Sequence, residues 1–388
     1  MIDRRRFLAQ TGMVAPLWLA GFPTHSAAAD ASVDMLVHGR VPHNAETRLA
    51  QLIESWITPN ERFYIRSHAP APKIKVEDFQ LSVEGMVERP LQIGLDQLQN
   101  EFPKQTSVVT MTCAGNRRSE HSLVKTVGGV PWQAGAIGNA EWAGARLSDL
   151  LQAAGIKRGA KHVWFEGLDE IKRPGGVIPF GASIPLEKAL SDSESMPGAL
   201  AAYEMNGKPL SPDHGFPLRT VVPGYIGARG VKWLGKIVLR DRPSPNHYVA
   251  KAYKLVTDGT DDEWSGAPPI ESFVINSVTC VPMTGTGLRP GKVTARGYAL
   301  APGLAGRTVT KVELSTDGGQ VWTQASFTTT ARPFCWRLWK AELDVSLETS
   351  ELVVRATDSA GNLQPESVAW NLKGYLFNAW HRTQVQVQ

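Results

Sequence analysis

The chain has 388 residues, 42% hydrophobic and 20% charged, with 36 Gly and 26 Pro, enough apolar material for two domains with separate cores. A formal charge of +4, with no Lys/Arg block beyond the N-terminus, excludes a nucleic-acid partner. Three cysteines without a CxxC or CxxCH spacing exclude haem attachment and iron–sulfur or zinc motifs, so electrons handled here must leave to another protein.

Residues 1–29 read as an address. Arg4-Arg5-Arg6-Phe7-Leu8 precedes a short apolar run, Met13 to Gly21, and then Ala27-Ala28-Ala29, the layout of a signal peptide. The run is too short to span a bilayer, so no membrane span is expected once it is removed. Its Arg-Arg-x-Phe-Leu order is of the twin-arginine type, whose pathway exports folded proteins, here to the periplasm.

From Asp30 to Asn60 the chain reads as helical and loop-like, with Leu49, Leu52, Ile53 and Trp56 forming an amphipathic run expected on the outside of a domain. Glu61 to His68 is extended, kept so by the Ala-Pro-Ala-Pro that follows. Arg66 and His68, two apart on such a strand, face one side and can hold an anion. Phe79–Val87 alternates as a half-exposed strand, and Leu95–Phe102 reads as a short helix.

Val108 to Thr112 is a β-branched run that breaks at Cys113-Ala114-Gly115-Asn116 and continues into Arg117-Arg118. Turn amides and adjacent cations favour the thiolate, which ligates soft metals or does chemistry; on the residues alone a packed structural thiol stays equally open. The following Arg117-Arg118-Ser119-Glu120-His121 is either a phosphate contact or a solvated turn, and the turn suits Arg118, Glu120 and His121 individually.

Further along, Trp142-x-Gly-x-x-Leu-x-Asp-Leu-Leu leads into a strand, His162 to Asp169, that ends in an acidic turn. Tyr203 lies in a segment that closes at Asn206-Gly207 and, by itself, reads as a packed core residue. Between Asp213 and Leu234, glycines and prolines are interleaved with His214, Arg219, Arg229 and Lys232. Such turns bring backbone amides close to a phosphate while basic side chains neutralise it. A Pro-, Asp- and Gly-rich connection runs from Arg240 to about Pro269. Beyond it, short strands at Ser272–Cys280, Lys292–Leu300, Thr308–Ser315, Cys335–Leu343 and Glu351–Asp358 predict an immunoglobulin-like β-sandwich. Cys280 and Cys335 are open to two readings there, a disulfide or two buried thiols.

Together, Phe63-x-x-Arg66-x-His68, the Cys113 loop, the Trp142 pattern, Phe180 to Pro185 and Gly230-Val231-Lys232 resemble the sulfite oxidase family of molybdenum enzymes, from about Phe63 to Trp339. Ser67 and Gly230 stand where many members carry Asn and Ser. The resemblance implies an α+β fold: a mixed-sheet molybdopterin-binding domain over residues 30–250, then an immunoglobulin-like dimerisation domain over 265–388. It makes Cys113 the one protein ligand of molybdenum. It carries molybdopterin contacts onto Tyr64, Ile65, Arg66, Ser67, His68, Asp169, His214, Arg219, Gly230, Val231 and Lys232. Arg66, Trp142, Tyr203 and Arg332 would form the oxyanion pocket, with Arg332 sent in from the second domain by the loop Arg332 to Trp339. The implied activity is oxidation of sulfite to sulfate by a homodimer with molybdenum–molybdopterin and no haem in this chain, a separate c-type cytochrome taking the electrons. Two other readings remain: oxidation of a sulfane sulfur on a carrier protein or reduction of a sulfoxide, and a cofactor-free periplasmic binding or adhesion protein.

Overall fold

The computed structural model describes residues 35–193 and 196–388; the expected signal segment lies outside them. In the first domain, strands with one apolar face pair into two five-stranded sheets. One runs in the order Gly181–Pro185, His162–Gly167, Leu234–Arg240, Leu81–Gly85, Leu91–Ile93, and its Leu234–Arg240/Leu81–Gly85 pairing is parallel, which makes the sheet mixed. The other is antiparallel: Lys208–Pro209, Leu200–Met205, Ile137–Arg146 and Lys104–Thr112, with Arg219–Val221 also beside Leu200–Met205. The helix Leu147–Ala154 presents Leu147, Leu150, Leu151 and Ala154 to a core that contains Leu81, Val83, Phe165 and Ile237. It stops at Gly155, whose φ of 71° a side chain would resist.

The second domain is a β-sandwich. One sheet runs Asn276–Val281, Gly291–Leu300, Arg337–Val345, Ser326–Phe327; the other runs Thr286–Leu288, His381–Val387, Glu351–Asp358, Val309–Ser315, Thr323–Gln324. Trp339 and Leu343 of the first meet Val312, Leu314, Leu352 and Val354 of the second in one core. Cys280 and Cys335 are buried free thiols, so the sandwich carries no disulfide between them. Among the described residues no helix is long and apolar enough to cross a membrane.

Two expectations change. The helical and loop-like stretch before Asn60 instead holds the strands Met35–Arg40 and His43–Thr47, which pair with each other, the second also pairing with Ile65–Arg66. Long-range pairing overrides the local pattern, and the Glu46 carboxylate anchors it by accepting the amides of Gln133 and Gly135 at 2.8 Å each. The amphipathic run keeps only a short helix, Leu49–Leu52, and it is not external. Leu52 is buried, while Trp56 and Trp336 of the second domain exchange indole-to-carbonyl bonds of 3.3 and 3.0 Å. That run is part of the joint between domains.

Candidate active site

The cysteine strand Lys104–Thr112 delivers its loop to the seam between the domains. The Cys113 amide donates to the Ala136 carbonyl at 2.9 Å, and the chain then turns through Asn116 N to Cys113 O and Arg118 N to Gly115 O, both 3.0 Å. The Gly115 amide points at Cys113 Sγ from 3.4 Å, and a Cβ at Gly115 would lie 2.4 Å from the Arg118 guanidinium and displace it. Arg117, at φ 65°, starts the helix Arg118–Val124. Its guanidinium is fully buried against Glu120 at 2.7 and 2.6 Å, Asn276 Oδ1 at 2.7 Å and the Ala379 carbonyl at 2.8 Å. Arg118 donates to the carbonyls of Lys373 (2.9 Å) and Val130 (2.7 Å), and His121 Nε2 accepts the Asn371 amide at 3.0 Å. This charged cluster is therefore neither a phosphate site nor a solvated turn: it clasps the second domain.

Above Cys113 opens a cavity with about 660 Å³ of atom-free space. Ten of the predicted residues line it: Tyr64, Arg66, Ser67, His68, Cys113, Asp169, His214, Arg219, Gly230 and Lys232. Five do not. Ile65 and Val231 are buried behind the wall, because in an extended chain their neighbours Tyr64, Arg66, Gly230 and Lys232 take the cavity side. Trp142 is fully buried in the next layer, where the Arg219 guanidinium lies 4.9 Å above its ring; it supports a wall residue rather than being one. Tyr203 sits in the first-domain core with Leu81 and Phe165, as the strand Leu200–Met205 faces it inward, away from the cavity. Arg332 is exposed, 5.2 Å over Trp56. The second domain instead reaches the metal loop through residues 371–376, whose Leu376 amide donates to Ala114 O at 2.8 Å.

Besides Tyr64, a second phenol lines the cavity, that of Tyr253, which the sequence reading passed over inside the connection. Its Oη lies 3.4 Å from His68 Nε2. The available signal was a run of rings, His247, Tyr248 and Tyr253, in an otherwise polar and Pro-rich link. His68 packs against Phe180 at 5.0 Å and Tyr248 at 4.5 Å.

The cavity has more buried cation than carboxylate. Lys232 Nζ donates to Ser67 Oγ (2.7 Å) and the Asp213 carbonyl (2.8 Å), with no carboxylate among these partners. Burial, then Arg219, pushes its ammonium down to about 7. Burial likewise brings Arg219 to about 10 and His214 to about 3, and lowers His68 with help from Arg66. The two carboxylates at hand are engaged: Asp169 Oδ1 accepts the Phe180 amide at 2.9 Å, and Asp213 is bonded to His43 at 2.8 Å. Gly227 and Gly230 keep the wall clear, since a Cβ would come within 2.5 Å of Tyr64 Oη and 2.9 Å of Thr220 O respectively. Among the described residues no three His, Cys, Asp or Glu side chains converge as a metal site, so a metal on Cys113 must draw its other ligands from a cofactor. A soft sulfur beside unmatched cations fits a metal carried by an anionic, phosphate-bearing group.

Residues 68–248 match the oxidoreductase molybdopterin binding domain, and residues 267–388 match the Mo-co oxidoreductase dimerisation domain. Fold and cavity together thus define a molybdopterin-dependent oxidoreductase. The chain is 42% identical to the sulfite oxidase of Gallus gallus over 359 residues, covering 89% of this chain and 76% of the relative. It is 42% identical to the mitochondrial sulfite oxidase of Rattus norvegicus over 365 residues, covering 90% of this chain but 65% of that protein, just under two thirds of its length. The crystal structure of the sulfane dehydrogenase SoxCD from Paracoccus pantotrophus superposes with a TM-score of 0.76 at 26% identity, covering 98% of this chain and 96% of that one. The chain belongs to the sulfite oxidase family of molybdenum enzymes, and its cofactor is molybdenum–molybdopterin.

Proposed function

We propose that this protein oxidises sulfite to sulfate. The observation that carries the reading is one buried cavity holding the Cys113 thiol, Arg66, Arg219 and Lys232, in which cations exceed free carboxylates. When bound, molybdenum–molybdopterin supplies the two-electron redox centre and the oxygen that sulfite gains. Cys113 holds the metal. Lys232 and Arg219 would neutralise and orient the pterin phosphate, with His214, kept uncharged by burial, lining its site. Arg66, kept in place by Asn44 Oδ1 at 3.1 Å, faces the oxyanion as a planar donor. Tyr253 donates its phenol hydrogen to a substrate oxygen, and His68, held neutral by burial, donates its Nε2 hydrogen to that phenol oxygen and so keeps the hydroxyl turned toward the substrate. The rings of Phe180 and Tyr248 keep water from His68.

Export of the folded protein through the twin-arginine signal, a periplasmic location, a c-type cytochrome as acceptor and a homodimer built on the second domain complete the proposal. The full-length likeness to SoxCD favours one second reading, in which the substrate is a sulfane sulfur on a carrier. The test is sulfite-dependent reduction of cytochrome c by protein of measured molybdenum content. Full molybdenum with no sulfite turnover, but oxidation of a protein-bound sulfane donor, would replace the first reading by the second.

A further inference from the structure

Tyr253 must hold its phenol in the cavity from an awkward backbone, φ 53°, a conformation that side-chain-bearing residues adopt only when their surroundings over-determine it. Its main chain is tied at a distance by the Ile270 amide, which donates to Tyr253 O at 2.8 Å. The ring is held from the side by Tyr375, stacked at 5.2 Å with planes 19° apart. Tyr375 comes from the second domain and does not line the cavity itself.

Tyr375 is in turn fixed from both sides of the seam. Asn371 accepts the Tyr375 amide and donates to its carbonyl, each at 2.9 Å, and the Asn371 amide is bound to His121 at 3.0 Å. The guanidinium of Arg118, five residues beyond Cys113, lies 5.3 Å over the Tyr375 ring. Gly374, at φ 58°, lets the chain pass because a Cβ there would meet Arg118 Cγ at 2.8 Å. A continuous stack therefore runs from the metal loop through Arg118 and Tyr375 to Tyr253 and back into the cavity above Cys113.

We infer that Tyr375 is a positioning residue: it sets the direction of the Tyr253 phenol toward the oxyanion, and so couples that phenol to the loop that holds the metal. The inference rests on the sulfite-oxidising reading. Stacked aromatic pairs hold their geometry more firmly than burial of the same area would.

The experiment is a double-mutant cycle on the molybdenum-loaded enzyme, with rates expressed per molybdenum. Tyr375→Leu lowers kcat/KM for sulfite by about threefold to tenfold, the span expected of one aromatic pair, and Tyr375→Phe, which keeps the ring, restores it. In a Tyr253→Phe background, Tyr375→Leu causes no further loss, because there is no phenol hydroxyl left to direct. Equal losses in both backgrounds, or no loss in either, overturn the inference. Calorimetric titration with sulfate supplies a readout independent of turnover: Tyr375→Leu weakens its binding by a similar factor. If the loaded wild type proves inactive on sulfite, the functional reading falls while the sulfate titration still decides. Binding that weakens in Tyr375→Leu upholds the role of Tyr375, and equal or absent binding ends it.

Discussion

Arg117 and Arg219 are both buried, and they are satisfied in opposite ways. Arg117, at the joint between the domains, meets the Glu120 carboxylate with two bonds of 2.7 and 2.6 Å. Burial alone would raise that carboxyl, but Arg117 outweighs it and holds it below the usual carboxylate range. Arg219, in the cavity wall, donates to the carbonyls of His214 at 3.0 Å, Thr220 at 3.4 Å and Gly230 at 3.5 Å and to Met111 Sδ at 3.2 Å, none of them a negative charge, and its guanidinium is depressed by burial to about 10. A joint balanced inside the protein needs nothing further. A cavity left with surplus positive charge is tuned for an anion that arrives later.

The comparison can be broken in several places. The largest effect is expected at the thiol: Cys113→Ser abolishes turnover while the cofactor-free protein keeps its circular dichroism and melting temperature, and residual turnover at full molybdenum would remove the cysteine from the mechanism. Next, Arg117→Ala leaves Glu120 without its counter-charge and destabilises the chain by about 3 kcal/mol, seen as a lower urea midpoint whether or not cofactor is bound. An equal midpoint would mean that the joint is not what closes the domains.

A smaller, pH-dependent effect separates the cavity from the joint. Lys232 titrates at about 7 when folded, below the ordinary lysine range of the unfolded chain. Between those values the unfolded state binds the extra proton, so the stability of the cofactor-free protein rises as pH climbs from about 7 toward about 10. Bound cofactor supplies the missing negative charge and flattens that slope. Melting curves at pH 7 and pH 9 on cofactor-free wild type, cofactor-loaded wild type and Lys232→Met check this, and a slope that persists in Lys232→Met assigns it elsewhere. The smallest effect is at Arg332, exposed over Trp56: Arg332→Gln leaves the sulfite KM within about twofold and stability within about 0.5 kcal/mol. A large rise in KM would return the residue to the site.

Much of this was legible in the chain, where signals are local. The strand at 351–358, the helix starting at Leu95 and the break at Cys113 lie where alternation and turn residues put them. Arg66, His68, His214, Arg219 and Lys232 were readable because basic side chains among turn-forming residues suggested an anion and the family resemblance carried them to the site, while Arg117 and Arg118, equally basic, serve the joint instead. Tyr203 and Tyr253 show the limit. Each lies in a short segment without a periodic pattern, and which of them faces the cavity depends on long-range packing. Arg332 fails similarly: an arginine in a loop between strands says nothing about which loop of the sandwich meets the metal loop.

The clasp on the metal loop also has a dimension in time. Arg117, Arg118 and His121 each take from the second domain a partner that lies, respectively, 262, 255 and 250 residues further along the chain. During synthesis the strand and cysteine loop emerge long before Asn371, Lys373 and Ala379 exist to close behind them. The loop that carries the thiol therefore stays unclasped until the last of the second domain has been made, whereas the lining of the cavity above it, from Phe63 to Tyr253, is complete much earlier in the chain.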